Sequence, residues 1–303
     1  MPQLDYFIVD VFTQTALAGN PLAVVMNTAS LTTERMQAIA REFNLSETTF
    51  VERRPAAVEQ REGVRVRIFT TQEELPFAGH PTLGTATVLA LTAPEIVRNG
   101  TVRLALNVGP IPVHFDDLNE GNGPLFGEMQ QRDPEFGAEL DPAAVAPIIG
   151  LPVDDLDPDS TPQVVSTGNA FAIVLLRSQD ALARVKVNHE EASSYLRACG
   201  GRWFYLLAPV RNQNGDPELR YRARMQFYGG EDPATGSAAG CAISYLVARG
   251  RVSSGERIQL RQGVEIARPS DLFLSATRDA ARISDVRVGG RTVLVAKGQL
   301  FLP

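Results

Sequence analysis

The sequence predicts an α+β protein of two pseudo-symmetric halves, and three observations predict it. First, five features recur in one order. The first half runs through GNPLAVV (19–25), a helical stretch from Thr33 to Phe43, LSETTFV (45–51), VRVRIF (64–69) and ELPFAGHPTLGTATVLAL (74–91). The second runs through GNAFAIV (168–174), HEEASSYLRACG (189–200), WFYLLAPV (203–210), YRARMQF (221–227) and YGGEDPATGSAAGCAISYLVARG (228–250). Repetition on this scale is too long for a solenoid unit and implies a duplicated domain with a cleft between the copies. Second, each half holds one helix, at 82–91 and 237–246, that is small and apolar on nearly every face, the mark of a helix through the middle of its own domain. Third, the remainder is strand-rich without the strict alternation of a doubly wound sheet.

Taken in order, Thr33-Glu34-Arg35-Met36 opens a helix with apolar residues at Met36, Ile39, Ala40 and Phe43, stopped at Asn44. LSETTFV alternates as a strand, with Leu45, Glu47, Thr49 and Val51 on one face. An acid on that face is either a charge that keeps an edge strand from aggregating or a carboxylate kept partly dry to move protons. Asp116 to Pro162, rich in Asp, Pro and Gly, is the crossover between halves, although Asp141-Pro142 before AAVAPIIG has the start of a short helix. VRVGGRTVLVAKGQLFL (286–302) alternates around Gly289-Gly290 and predicts a hairpin. The first half is therefore expected to cover 1–118, joined by a C-terminal strand at 291–303, and the second 119–290.

With 303 residues, 44% hydrophobic and 21% charged, each half can bury its own core without staples. No apolar run has bilayer length, so no membrane partner is expected. The start, MPQLDYFIVDVF, lacks the features of a signal peptide, which makes the cytoplasm the expected compartment. Two cysteines, Cys199 and Cys241, exclude a disulfide framework and a cysteine-rich zinc site. His80, His114 and His189 lie too far apart for a metal-binding spacing, so no metal is expected. A net charge of −6 with scattered arginines argues against nucleic acid. Any anionic substrate must therefore be held by local dipoles and donors rather than by the field of the whole chain.

Both buried helices begin at turns that suit such a ligand. Ala78-Gly79-His80-Pro81-Thr82 and Asp232-Pro233-Ala234-Thr235-Gly236-Ser237 present free backbone N–H groups at the positive end of a helix dipole. Helix capping alone accounts for either turn taken singly. Two matched turns in two matched halves can converge on one ligand, and a cap has no need of a histidine, an aspartate and a serine together.

The motifs DVFT, GNPLAVV, NLSETTF, ELPFAGHPTLGTA and GGEDPATGSAAG resemble the signatures of the phenazine-biosynthesis PhzF-like family, whose fold is that of diaminopimelate epimerase. The resemblance implies two domains, each a curved, mainly antiparallel sheet around a central helix, with the active site between them. It also implies an enzyme without a cofactor that forms homodimers. It assigns the catalytic glutamate to Glu47, substrate contacts to Gly79 and His80, the aspartate to Asp232, and the glycine and serine to Gly236 and Ser237. Two-thiol epimerases of this fold would carry cysteine where this chain has Ala78 and Pro233; Cys199 and Cys241 lie elsewhere and read as inert.

Inverting a carbon centre without a cofactor needs one group on each face. Opposite LSETTFV the second half has RWFYLLAP, so the match to Glu47 is Trp203 or a neighbour, none able to act as acid and base. A single carboxylate can instead take a proton from one carbon and return it to another on the same face, an isomerisation by proton shift. The expected function is such an isomerase, acting on a dihydro-hydroxyanthranilate-like cyclic amino or hydroxy carboxylate. Glu47 is the shuttle, its pKa raised by apolar surroundings, while His80 and Asp232 orient ring substituents. An amino-acid epimerase or racemase, or a non-catalytic ligand-binding module on the same fold, are the alternatives.

Overall fold

The computed structural model describes residues 3–116, 123–211, 217–227 and 230–302. Residues 117–122 of the expected crossover, and Tyr228-Gly229 at the head of the second turn motif, lie outside them. The chain divides into two compact units, Met1–Met129 with Gly289–Pro303, and Gln130–Val288. These bounds differ from 118–119 and 290–291 because the segment after the first crossover still pairs with the first unit's sheet, Val113 facing Met129.

In chain order the first unit contains β1 (Gln3–Val11), β2 (Asn20–Val25), α1 (Thr33–Phe43), β3 (Glu47–Glu52), α2 (Ala56–Glu62), β4 (Val64–Thr70), β5 (Glu74–Leu75), α3 (Gly79–Thr92), β6 (Thr101–Leu106), β7 (Gly109–Phe115) and β8 (Leu125–Gln130). Its strands are hydrogen-bonded in the order β1-β2-β3-β4-β6-β7-β8. Pairing is parallel at β2–β3 and β4–β6 and antiparallel at the other joints. Parallel neighbours require a crossover long enough to hold a helix. α1 fills the first crossover, and α3 the second.

α3 is buried from Gly79 to Ala90 and packs against β1, β2, β3, β6 and β7. Its sequence permits this because, His80 of the first turn apart, the few polar side chains are threonines, which can bond within the helix. Thr82 and Thr87 donate to the carbonyls of Ala78 and Leu83, and Thr85 shares a 2.8 Å hydrogen bond with Thr49 of β3. Gly84 lets the sheet close in, since a Cβ there would lie 2.7 Å from Leu22 and 2.8 Å from Val11 side-chain carbons.

The second unit contains β9 (Glu135–Glu139), α4 (Pro142–Ile148), β10 (Gln163–Ser166), β11 (Ala170–Leu175), α5 (Gln179–Arg184), α6 (His189–Ala198), β12 (Trp203–Arg211), β13 (Pro217–Arg224), β14 (Gln226–Phe227), β15 (Gly230–Glu231), α7 (Gly236–Ala248), β16 (Ile258–Gln262) and β17 (Ser270–Asp279). Its order is β17-β16-β13-β12-β11-β10-β9, parallel at β11–β12 and β13–β16. α7 lies in the β13–β16 crossover and packs against β10, β11, β12 and β17. α4, α5 and α6 share a separate core with the strands, built on Val145, Ile149, Leu182, Leu196, Phe204 and Leu206. With sheets of mixed pairing and helices in their crossovers, the fold is α+β.

The expected hairpin at Gly289-Gly290 is not formed. One strand, β18 (Arg282–Phe301), runs straight through both glycines, and its C-terminal part pairs with β1 from Gln3–Phe301 to Val11–Thr292. Neither glycine has positive φ; the reversal lies at Ala280, φ 51°, between β17 and β18. Gly289 serves close approach instead, because a Cβ would meet the Gly127 carbonyl oxygen at 2.9 Å. Alternation with paired glycines reads alike for a turn and for a strand pressed against its neighbour.

Gly84→Ala tests the packing of α3. It is expected to destabilise the protein by about 1–3 kcal/mol in urea denaturation, since overpacking outweighs the gain of about 1 kcal/mol in helix propensity.

Candidate active site

β3 carries Glu47 at its first residue and is an interior strand, flanked by β2 and β4, which removes edge protection as a reason for the acid. Its two faces are both covered. Phe50 packs with Met36 and Ile39 of α1, whereas Thr49 bonds to Thr85 of α3. Alternation puts Glu47 on the Thr49 face, so the carboxylate points toward the start of α3. There Glu47 Oε2 lies 3.5 Å from His80 Nε2, with side-chain exposures of 17% and 7%. The pair is therefore nearly dry yet reachable on the glutamate side.

The helices start earlier than 82 and 237: Gly79-His80-Pro81 already form the first turn of α3, and α7 begins at Gly236 after the non-helical segment from Asp232 to Thr235. α3 opens at Gly79 with Ala78 as N-cap, and Pro81 fits because the first helical residues need no intrahelical donor. Ala78 has no side chain to cap the free N–H groups. α7 opens at Gly236 with Thr235 as N-cap, yet the Thr235 side chain does not cap either. Its hydroxyl donates to Asp232 Oδ2 at 2.6 Å. Both helix starts thus present donors that their own N-cap side chains leave uncapped, in surroundings where an anion would be stabilised.

The structure brings Glu47, Gly79 and His80 together in the first unit, and Asp232, Gly236 and Ser237 together in the second. Sequence reading missed the groups that hold the latter turn. Gln262 at the end of β16 donates to the Asp232 carbonyl at 2.7 Å and accepts from Thr235 N at 3.1 Å. Gln131 donates to the Gly236 carbonyl at 2.8 Å and accepts from Thr167 at 2.7 Å. Gly240 makes room for it, since a Cβ there would strike Gln131 Oε1. A signal was present: Ile258, Leu260 and Gln262 share one strand face, and an amide in phase with two core residues requires partners. Cys241 bonds weakly to Thr167, and burial pushes its thiol up to about 11, which keeps it unreactive. Among the described residues no three His, Cys, Asp or Glu side chains gather to hold a metal ion, and no helix is long and apolar enough to cross a membrane.

A family model for phenazine biosynthesis-like proteins matches residues 9–298. The chain belongs to the phenazine biosynthesis-like family. It is 34% identical to the trans-2,3-dihydro-3-hydroxyanthranilate isomerase of Pseudomonas fluorescens, over 98% of this chain and 99% of that one. It is 35% identical to an uncharacterized isomerase of Mesorhizobium japonicum over the whole of both. The crystal structure of a PhzF-family phenazine biosynthesis protein from Bacillus anthracis is 26% identical, with a TM-score of 0.82 and full coverage of both chains. This phenazine biosynthesis-like chain is an isomerase, as its named relatives are.

Burial drives the His80 imidazole of the isomerase down to about 3, so at neutral pH the Glu47 contact is not an ion pair and His80 acts as a neutral hydrogen-bonding group. The depressed value also makes folding pH-dependent. Between 3 and 6.5 the unfolded chain binds a proton at His80 that the native state refuses, so this site's support is complete above 6.5 and falls with pH below it. Lowering the pH from 7.5 to 5.5 is expected to cost the native protein about 1.4 kcal/mol more stability than it costs His80→Gln, read from urea melts at each pH.

Proposed function

We propose that this isomerase shifts a proton within a small cyclic amino or hydroxy carboxylate, a dihydro-hydroxyanthranilate or a close analogue, with Glu47 as its single acid and base and with no cofactor. Glu47 takes a proton from one ring carbon, the bonding electrons move into the adjacent unsaturated system, and the same carboxyl returns the proton to another carbon on the same face. The carboxylate ends as it began, and no second group is consumed.

The observation that carries this reading is the pairing of a sheltered Glu47 with neutral His80 on the first turn of α3, with Trp203 rather than an acid at the matching position of the second unit. The two units are read as copies. Ala23, fifth residue of GNPLAVV, pairs with Thr48, and Ala172, fifth of GNAFAIV, pairs with Phe204. The preceding residues are Glu47 and Trp203. Trp203 stacks on Phe171 with ring centroids 5.8 Å apart and lies under the Arg202 guanidinium at 4.0 Å. An indole neither takes nor gives a proton at a carbon centre, which disfavours two-base epimerisation. The activity named for the Pseudomonas fluorescens relative fits a one-acid proton shift.

In this reading His80 donates or accepts a hydrogen bond at a ring substituent without changing charge. The helix start at Gly79 in the first unit, and that at Gly236 with the Ser237 hydroxyl in the second, are each suited to a substrate carboxylate, and Asp232 to its amine or hydroxyl. The chemistry asks nothing of Cys199 or Cys241.

Glu47→Gln is expected to keep the melting temperature and the binding of anthranilate, a non-reacting analogue. It should reduce deuterium uptake from heavy water into trans-2,3-dihydro-3-hydroxyanthranilate by at least about a thousandfold. Native-rate uptake in that variant would defeat the assignment. Ser237→Ala is expected to raise KM about tenfold with a smaller change in kcat, in steady-state assays of the same substrate.

A further inference from the structure

We infer that Gln262 is a positioning residue for the turn from Asp232 to Ser237, acting on substrate only through the backbone of that turn. The inference rests on the reading that this turn binds substrate. It starts from the cost of the side chain: Gln262 is fully buried at the end of β16, where an amide without partners would be strongly unfavourable.

The backbone settles which way the amide points. Thr235 N can only donate, so the atom 3.1 Å from it is Oε1, and the Asp232 carbonyl can only accept, so the atom 2.7 Å from it is Nε2. The rest of the chain of bonds then has one direction. Tyr205, also fully buried, donates its hydroxyl to Oε1 at 2.7 Å, and Nε2 gives its second proton to Thr235 Oγ1 at 3.0 Å. Thr235 passes its own proton to Asp232 Oδ2 at 2.6 Å. Burial first, and the nearby Asp232 carboxylate second, hold the Tyr205 phenol in its protonated form, so its donation persists across the working pH range.

All four hydrogen-bonding positions of one rigid amide are thereby used, and three of them fall on residues 232 and 235. This sets the spacing between the carbonyl of Asp232 and the amide of Thr235, and so the angle at which the chain enters α7. It also draws the Thr235 hydroxyl away from the cap position, which leaves the amides that follow for an incoming anion. A glutamine that merely filled the core would not need to bond both ends of one turn.

The test uses the intact protein. In the unsubstituted chain the Thr235 amide should exchange with deuterium as slowly as the amides in the middle of α7; exchange at the rate of an open loop would overturn the inference without any variant. Gln262→Met keeps the volume and removes every bond. It is expected to lower protection across 232–240 at least about tenfold while leaving α1 unchanged. With trans-2,3-dihydro-3-hydroxyanthranilate, Gln262→Met should raise KM about tenfold with kcat within about threefold, and its effect should largely vanish in the Ser237→Ala background. Independent, multiplying effects would overturn the inference, as would unchanged protection. If Gln262→Met does not fold, Tyr205→Phe replaces it and should show the same coupling to Ser237→Ala at lower amplitude. Should the substrate itself not be turned over, the proposed reaction fails, while the two exchange measurements still decide the role of Gln262.

Discussion

A helix without a polar face has to be enclosed on every side, and that constraint organises each unit. α3 and α7 offer almost no side chain that water would retain, so strands surround them and the crossovers that contain them become parallel joints. Enclosure has a consequence at the ends. The first turn of a buried helix brings backbone donors into a region with little water, where their partial charge is screened least. Neither helix uses its N-cap side chain to quench those donors. The physical arrangement that satisfies the core therefore also prepares places for an anion.

Burial shapes the titrating groups in the same manner. β3 cannot face solvent on either side, because α1 covers one face and α3 the other. An acid at its first residue is consequently sheltered but not sealed, and the histidine it meets on α3 is held neutral by desolvation. Around the start of α7 in the second unit two buried amides carry much of the polar bonding. Gln262 bridges two backbone atoms of the turn before α7, Gln131 ties the Gly236 carbonyl to the Thr167 hydroxyl, and each is bonded at both its oxygen and its nitrogen. Satisfied amides of this kind rigidify what they touch, whereas an ion pair in the same place would carry a far larger desolvation cost.

Helix α1, with its left-handed Asn44 stop, and the short helix capped by Asp141 were legible because caps and 3.6-residue periodicity are local signals. Glu47 and His80 were legible as a candidate pair through the motifs that surround them. What resisted reading was anything decided by a distant neighbour. Gly289-Gly290 looked like a turn because alternation and glycine are ambiguous until the opposing Gly127 is known. The starts of α3 and α7 were placed too late, since Pro81 and Gly236 read as turn residues when the depth of the following helix is not considered. Gln262 went unnoticed because its partners are separated from it by about thirty residues or more along the chain.

The sequence by itself determined the α+β class and the two apolar helices, and it singled out Glu47 as the candidate acid, since composition, periodicity and motif are properties of short segments. Tertiary structure decided that β3 lies inside its sheet, that His80 is neutral beside Glu47, and that buried glutamines hold the Asp232 turn. Those outcomes depend on desolvation and on bonds between remote residues, and neither exists until the chain has closed around its central helices.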